Sequence, residues 1–258
     1  MEINEMKKEM VFEHLQVKIF NCRNAMGKAA GKAVAAKIIE LLKQQKTVTM
    51  IFAAAPSQNE FLATLASEPG IDWKRVIALH MDEYVGLPED SPQRFRKYLE
   101  DHIVNLIHLG EVYFLNGNAS STIDECRRYA SLLVEHPVDI VCCGIGENGH
   151  LAFNDPPVAD FLDPQIVKVV ELEEKCRQQQ VNDGCFASLD QVPTEALSLT
   201  IPALLSGRYV YCIVPGTTKA EAVKDSLFGM VSTSCPASVL RRHFRATLYL
   251  DTDSAALL

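Results

Sequence analysis

Short runs of apolar, often β-branched side chains alternate along the chain with longer stretches in which apolar residues recur every three or four positions. The short runs predict strands over 17–20, 48–53, 76–80, 112–115, 138–143, 197–201, 209–214 and 247–250. The longer stretches predict helices over 25–43, 58–66, 92–107, 123–135 and 219–228. Ser91 followed by Pro92 supplies a cap residue and a proline suited to a first helical turn. Strand, helix and strand in repetition mean parallel strands joined by crossover helices, so the pattern predicts a Rossmann-like, three-layer α/β fold with a mainly parallel sheet. No repeat, low-complexity tract or linker divides the sequence, which predicts one domain over 1–258. The least regular stretch, about 160–190, reads as a helical excursion or a lid-like one.

Composition narrows this picture. Of the 258 residues 48% are apolar, enough to bury a sizeable core. No run of eighteen apolar residues occurs, and segment 1–13 mixes Glu and Lys without an apolar stretch or a small-residue cleavage site. The expectation is a cytoplasmic protein that is neither exported nor membrane-spanning. Eight cysteines are scattered without a C-x-x-C pair, and several sit in apolar stretches and read as small core hydrophobes in a reducing compartment. The formal charge of −8 argues against nucleic acid as a partner, because tracking a phosphate backbone needs a basic surface. A small phosphorylated metabolite needs only local donors and is not excluded.

Parallel α/β sheets bind ligands beyond the carboxyl ends of their strands, so residues directly after strands are the ones to search for chemistry. After the 76–80 strand come Asp82 and Glu83, which point in opposite directions if the backbone stays extended. One of the two then faces a ligand, where a general base belongs. After the 138–143 strand, residues 144–156 place Gly144, Gly146 and Gly149 before His150, with Glu147 and Asp155 flanking it. The glycines let the backbone turn sharply, and an imidazole near carboxylates suits proton transfer. The spacing also fits the dinucleotide pattern, but the strand is not the first of the fold and no ribose-binding acid follows, so no nucleotide cofactor is expected. A third segment, Ala54, Ala55, Pro56, Ser57 and Gln58, joins a strand to a helix with small residues and free amides, as an anion cradle would. Residues 215–219 repeat the design and add Lys219. Together the last two make a phosphate site credible.

Two of these segments, 81–87 (Met-Asp-Glu-Tyr-Val-Gly-Leu) and 149–156 (Gly-His-Leu-Ala-Phe-Asn-Asp-Pro), resemble the signature segments of the glucosamine-6-phosphate deaminase/isomerase family. Residues 115–118 and 190–197 resemble further segments, in the same order. The resemblance implies a Rossmann-like enzyme that converts a 2-amino-2-deoxyhexose 6-phosphate to a ketohexose 6-phosphate and ammonia without metal or organic cofactor. It implies Asp82 as the base that moves a proton from C2 to C1 and His150 as the group that assists ring opening. Asp155 would support His150, Ser57 with neighbouring amides would hold the phosphate, and Lys219 would neutralise it. A homo-oligomer is left open.

The sequence departs from the family at several points. Glu147-Asn148-Gly149-His150 stands where Asn-Asp-Gly-His is usual, which moves the carboxylate by one residue and leaves Asn148 to accept from the imidazole. Asp155 replaces Glu, Ala-Ala-Pro-Ser replaces Gly-Gly-Thr, and the phosphate-binding arginine has only Arg177 and Arg208 as candidates. These changes make a galactosamine-6-phosphate subgroup the leading expectation. A 6-phosphogluconolactonase shares the fold, but Leu-Ala-Phe-Asn after His150 differs from the Thr-Ala-Ser-Leu-Phe usual there. A non-catalytic sugar-phosphate sensor is the remaining alternative.

Overall fold

The computed structural model describes residues 6–258; positions 1–5 of the N-terminal segment read above lie outside them. The chain opens with a hairpin of β1 (Met6–Phe12) and β2 (Leu15–Phe20), followed by α1 (Arg23–Leu42) and β3 (Val48–Phe52). A 3₁₀ turn (Pro56–Gln58) leads into α2 (Asn59–Ser67), then β4 (Val76–His80), β5 (Asp82–Tyr84) and α3 (Phe95–Leu99), which widens into a π-type turn over Glu100–Val104. There follow β6 (Glu111–Val112), α4 (Thr122–Glu135), β7 (Ile140–Cys143), β8 (Val167–Glu171), α5 (Glu174–Asn182), β9 (Glu195–Leu199) and α6 (Ile201–Leu205). The chain continues through β10 (Tyr209–Val214), a 3₁₀ turn (Thr217–Lys219), α7 (Ala220–Phe228), a 3₁₀ helix (Pro236–Arg242) and β11 (Ala246–Asp251).

The main sheet runs β1-β2-β11-β10-β7-β3-β4-β6 and is parallel except for the β1–β2 hairpin. Alternate residues of its central strands face opposite sides and enter two different cores, as the two-residue period of a strand requires. Ile51, Leu79, Val141 and Cys212 join one core, while Met50, Phe52, Ala78, Cys142 and Ile213 join the other under α1 and α2. Strand order proceeds outward from β3 through β4 to β6, then returns across to β7 and continues the other way through β10 and β11. The reversal lies between β3 and β7, where a crevice opens at the carboxyl ends.

The structure corrects several expectations. The 197–201 run is not part of the parallel sheet: β9 pairs antiparallel with β5 and β8 in a separate three-stranded sheet. Asp82 follows His80 by two residues, so no crossover helix separates β4 from β5, and an antiparallel partner is what remains for it. The helix expected at residue 92 begins at Phe95, because the buried carboxylate of Glu83 accepts the N–H groups of Phe95 at 3.1 Å and Arg96 at 2.9 Å. The strand expected over 112–115 keeps only Glu111–Val112. Beyond it, the Leu115 N–H donates to His80 Nε2 at 2.8 Å and the Tyr129 hydroxyl reaches the Tyr113 carbonyl. Burial, helped by Arg96 and Arg94, lowers the His80 pKa to about 3, so its ring is the neutral acceptor this contact needs. Within the 160–190 stretch lie the strand β8 and the helix α5.

Helices α1 and α2 touch through glycine. A Cβ on Gly27 would sit 2.5 Å from Glu60 Cβ, and one on Gly31 would sit 2.7 Å from Thr64 Cβ and 3.0 Å from the Leu65 nitrogen. Gly31→Val should therefore force the helices apart and lower stability by about 1–3 kcal/mol, the usual cost of overpacking. Urea unfolding measures this, and an unchanged midpoint would mean the helix pair tolerates separation.

Candidate active site

Four consecutive strands of the sheet, β10, β7, β3 and β4, end at one cavity of about 250 Å³. Each of the four segments singled out from sequence contributes to its wall: Ala54, Ala55, Ser57 and Gln58 after β3, Asp82 after β4, Gly146 and His150 after β7, and Lys219 after β10. The crevice of the strand-order reversal is thus lined by small residues, a carboxylate, an imidazole and an amine.

Asp82 and Glu83 divide as extended backbone requires. Asp82 lines the cavity. Glu83 is fully buried and accepts backbone N–H groups from Tyr84, Phe95 and Arg96. Burial pushes the Asp82 carboxyl well above the ordinary carboxylate range, and the charge of Glu83 adds to the effect. Burial raises Glu83 as well, against the opposing pull of its three N–H donors.

The glycine turn is shaped around the histidine ring. A Cβ on Gly146 would lie 2.1 Å from His150 Cε1, and Gly149 takes φ +83 with Cys235 Sγ 2.7 Å from where its Cβ would be. Ala152 holds φ +48, an uncommon conformation for a side-chain-bearing residue, and lines the cavity. His150 Nδ1 lies 2.9 Å from Asp155 Oδ1, leaving Nε2 as the nitrogen not engaged by the carboxylate. Burial raises the Asp155 carboxyl, but hydrogen bonding to His150 and the imidazole's charge outweigh it and hold the group below its ordinary value.

Asn148 does not accept from the imidazole. Its Nδ2 donates to Asp155 Oδ1 at 2.7 Å and to Glu173 Oε2 at 3.1 Å, while its Oδ1 accepts the His150 backbone N–H at 3.1 Å. Glu147 and Asn148 are outside the cavity lining, as is Asp155, which stands behind the ring. The backbone N–H of Glu147 donates to Gln179 Oε1 on α5, and its carboxylate acts on Lys219. His150, Asp155 and Cys176 are also a group of metal-type donors, with ligand atoms within 4.8 Å of one another.

The loop after β3 has its carbonyls tied back. Tyr98 donates to the Ala55 carbonyl at 2.7 Å, and an Arg23 Nη2 donates to that of Pro56. Pro56 has no N–H and the Gln58 N–H donates to the Ala55 carbonyl at 2.9 Å, so the Ser57 N–H is the donor that this turn keeps for an anion. Gln58 donates to the Ile213 carbonyl at 3.2 Å and to Ser57 Oγ at 3.0 Å, which leaves the Ser57 O–H as a donor; Gln58 Oε1 is buried without a partner. On the facing loop, Gly216 at φ +93 donates to the Asp251 carboxylate. Lys219 is 7% exposed; burial lowers its pKa while Asp183, Glu147 and Cys176 raise it.

Neither candidate arginine reaches the cavity. Arg177 donates to the carbonyls of Leu189 and Val192, and Arg208 pairs with Asp139 beside the amino ends of the strands. Sequence reading missed Arg23 at the start of α1 and Gln179, Gln180 and Asp183 of the 160–190 excursion, all of which line the cavity. No local motif marks them, because tertiary packing alone brings α1 and α5 to the sheet's carboxyl edge.

A buried carboxylate and a carboxylate-oriented imidazole at the switch point of a doubly wound sheet define an α/β enzyme equipped for acid–base chemistry. The family model for glucosamine-6-phosphate isomerases/6-phosphogluconolactonase matches residues 22–249, and the chain belongs to that family. It is 36% identical over 231 residues to a glucosamine-6-phosphate deaminase of Listeria innocua, covering 90% of this chain and 97% of that protein. Identity to the glucosamine-6-phosphate deaminase of Bacillus cereus is 34% over 220 residues, covering 85% and 82%. A solved structure of a monomeric glucosamine-6-phosphate deaminase matches with a TM-score of 0.85 at 29% identity, over 94% of this chain and 99% of that one. The 6-phosphogluconolactonase of Thermotoga maritima matches at 0.74 and 17% identity, over 91% and 98%, a likeness of fold alone.

The environment of Asp82 has a measurable consequence. A carboxyl whose folded pKa is raised favours the folded state while protonated, and that contribution is lost as pH rises through the folded value. Asp82→Asn should therefore be more stable than the wild type at pH 8, with the difference closing toward pH 4. Thermal unfolding across that range tests it; equal stability at pH 8 would place Asp82 in a solvated setting.

Proposed function

We propose that the protein is an amino-sugar phosphate isomerase/deaminase acting on glucosamine 6-phosphate, and the observation that carries this is Asp82 and His150 lining one cavity with an anion-ready loop and Lys219. The deaminase relatives support the substrate class. His150 transfers a proton between the ring oxygen O5 and the anomeric hydroxyl, opening the sugar to a C1 aldehyde that acidifies the C2 proton. Asp82 takes that proton and returns it at C1 while one proton passes from the amine to the C1 oxygen, leaving an imine at C2, and water converts the imine to a ketone and ammonia. Burial suits Asp82 to this work, because a carboxylate held above its ordinary pKa is a stronger base. Asp155 orients the imidazole, and Asn148 fixes Asp155. Ser57, the amides near Ala54 and Ala55, and Lys219 take the phosphate, with Glu147 adjusting the lysine's charge.

Residues 160–190 act in this reading as a lid on one domain, since α5 supplies Gln179 and Gln180 to the cavity wall. Among the described residues no helix is long and apolar enough to cross a membrane, and the eight cysteines are free, which suits a reducing cytoplasm. The monomeric solved relative favours a monomer over a homo-oligomer.

The galacto preference expected from sequence rested on changes near the sugar. Asn148 and Asp155 stand behind His150 instead of lining the cavity, so these changes support the histidine and do not themselves contact the hexose. Ammonia release from glucosamine 6-phosphate should exceed that from galactosamine 6-phosphate by about tenfold or more in kcat/KM, the discrimination that a polar pocket lost to one epimer produces. A preference for the galacto epimer would overturn the assignment, and hydrolysis of 6-phosphogluconolactone alone would replace it.

A further inference from the structure

We propose that Arg23, from the first turn of α1, is the second cation of the phosphate site and works with Lys219; the inference rests on the sugar-phosphate reading above. Arg23 and Lys219 are the cationic side chains lining the cavity among the described residues. Lys219 alone is poorly matched to a phosphate monoester, which carries about −1.5 to −2 charges at neutral pH. Asp183 shares the cavity wall with Lys219, and both Asp183 and Glu147 attract its ammonium, so they compete with an incoming anion for it. A dianion at this end of the cavity needs another donor of positive charge.

Arg23 is held in position to supply it. Its Nε bonds Glu60 Oε2 at 2.8 Å, and Nη2 donates to the Pro56 carbonyl at the head of the anion-ready turn. A guanidinium has five N–H donors in a rigid fork, so two on Nη1 and one on Nη2 remain for a ligand. The side chain is 40% exposed, which gives an incoming anion access to it. Glu60 engages the Nε edge and so orients the outer edge, the one that meets phosphate oxygens in pairs. The placement depends on the helix contact described above: Gly27 lets Glu60 approach α1 to within the reach of Arg23. No motif near the strand ends announces this residue, because it belongs to the element that precedes the first crossover strand.

The test is binding of inorganic phosphate to the intact protein by calorimetry, alongside KM and kcat for glucosamine 6-phosphate, in the wild type, Arg23→Gln, Arg23→Lys and Glu60→Gln. Arg23→Gln should weaken phosphate binding and raise KM by roughly ten- to a hundredfold, as loss of a charge-assisted contact does, with kcat within about threefold. Arg23→Lys should recover part of the loss. Glu60→Gln keeps the cation and removes an opposing charge, so phosphate should bind at least as tightly as in the wild type. If the ion pair were only structural, Arg23→Gln and Glu60→Gln would lose affinity together, and that result would overturn the proposal. So would phosphate binding that is undetectable in the wild type or unchanged in Arg23→Gln. Arg23-dependent phosphate binding without ammonia release would leave this site standing and remove the deaminase reading instead.

Discussion

Glu83 accepts the backbone N–H groups of Tyr84, Phe95 and Arg96 with a carboxylate that has no exposed surface, and this arrangement fixes which way Asp82 points. Adjacent residues of an extended strand face opposite sides, so anchoring one side chain aims the other. Replacing Glu83 by an apolar residue would take their acceptor from the Tyr84 N–H on β5 and from two N–H groups at the head of α3. The antiparallel partner β9 adds the second constraint, with Ser198 opposite Asp82 in the register. Strand β5 is only three residues long, and it is these two attachments that make it a rigid platform.

The site pairs two carboxylates in opposite electrostatic conditions, Asp82 in the cavity wall and Asp155 behind the imidazole. Asp82 is desolvated beside another acid and held high, whereas Asp155 is buried with an imidazole and an amide and held low. In the proposed reaction one takes a proton and the other remains charged and steers a ring, a separation by environment of the kind that assigns acid–base roles. Asn148 belongs to the second of these settings. It cannot carry charge, but it grips Asp155 from one side and the His150 backbone from the other, so the shorter acid still reaches the ring.

The parallel sheet and its helices were legible because strands buried on both faces read as near-continuous apolar runs, and β3, β4 and β10 are of this kind. The segments after them were legible because the ligand position follows from that topology. The second sheet was hidden: β5 is brief, and β8 carries intermediate positions that blur any alternation. The start of α3 was misplaced because its cap comes from Glu83, twelve residues before Phe95, and not from Ser91. Arg23 and the α5 residues were invisible for a related reason, since their place at the cavity depends on how helices dock rather than on any neighbour in sequence.

In the proposed reaction Asp82, aimed by Glu83, carries the proton between two adjacent carbons of the substrate. Mass spectrometry of the ketohexose 6-phosphate formed by the wild type in deuterated water, and of glucosamine 6-phosphate recovered from incubation with Asp82→Asn, tests it most directly. The C1 hydrogen of the wild-type product should be the one carried from C2, with solvent deuterium there only in turnovers in which the Asp82 carboxyl exchanges before returning it, and no deuterium should enter C2 of the sugar recovered from the variant, with phosphate binding intact. Deuterium entering C2 in Asp82→Asn at a rate near that of the wild type would contradict it.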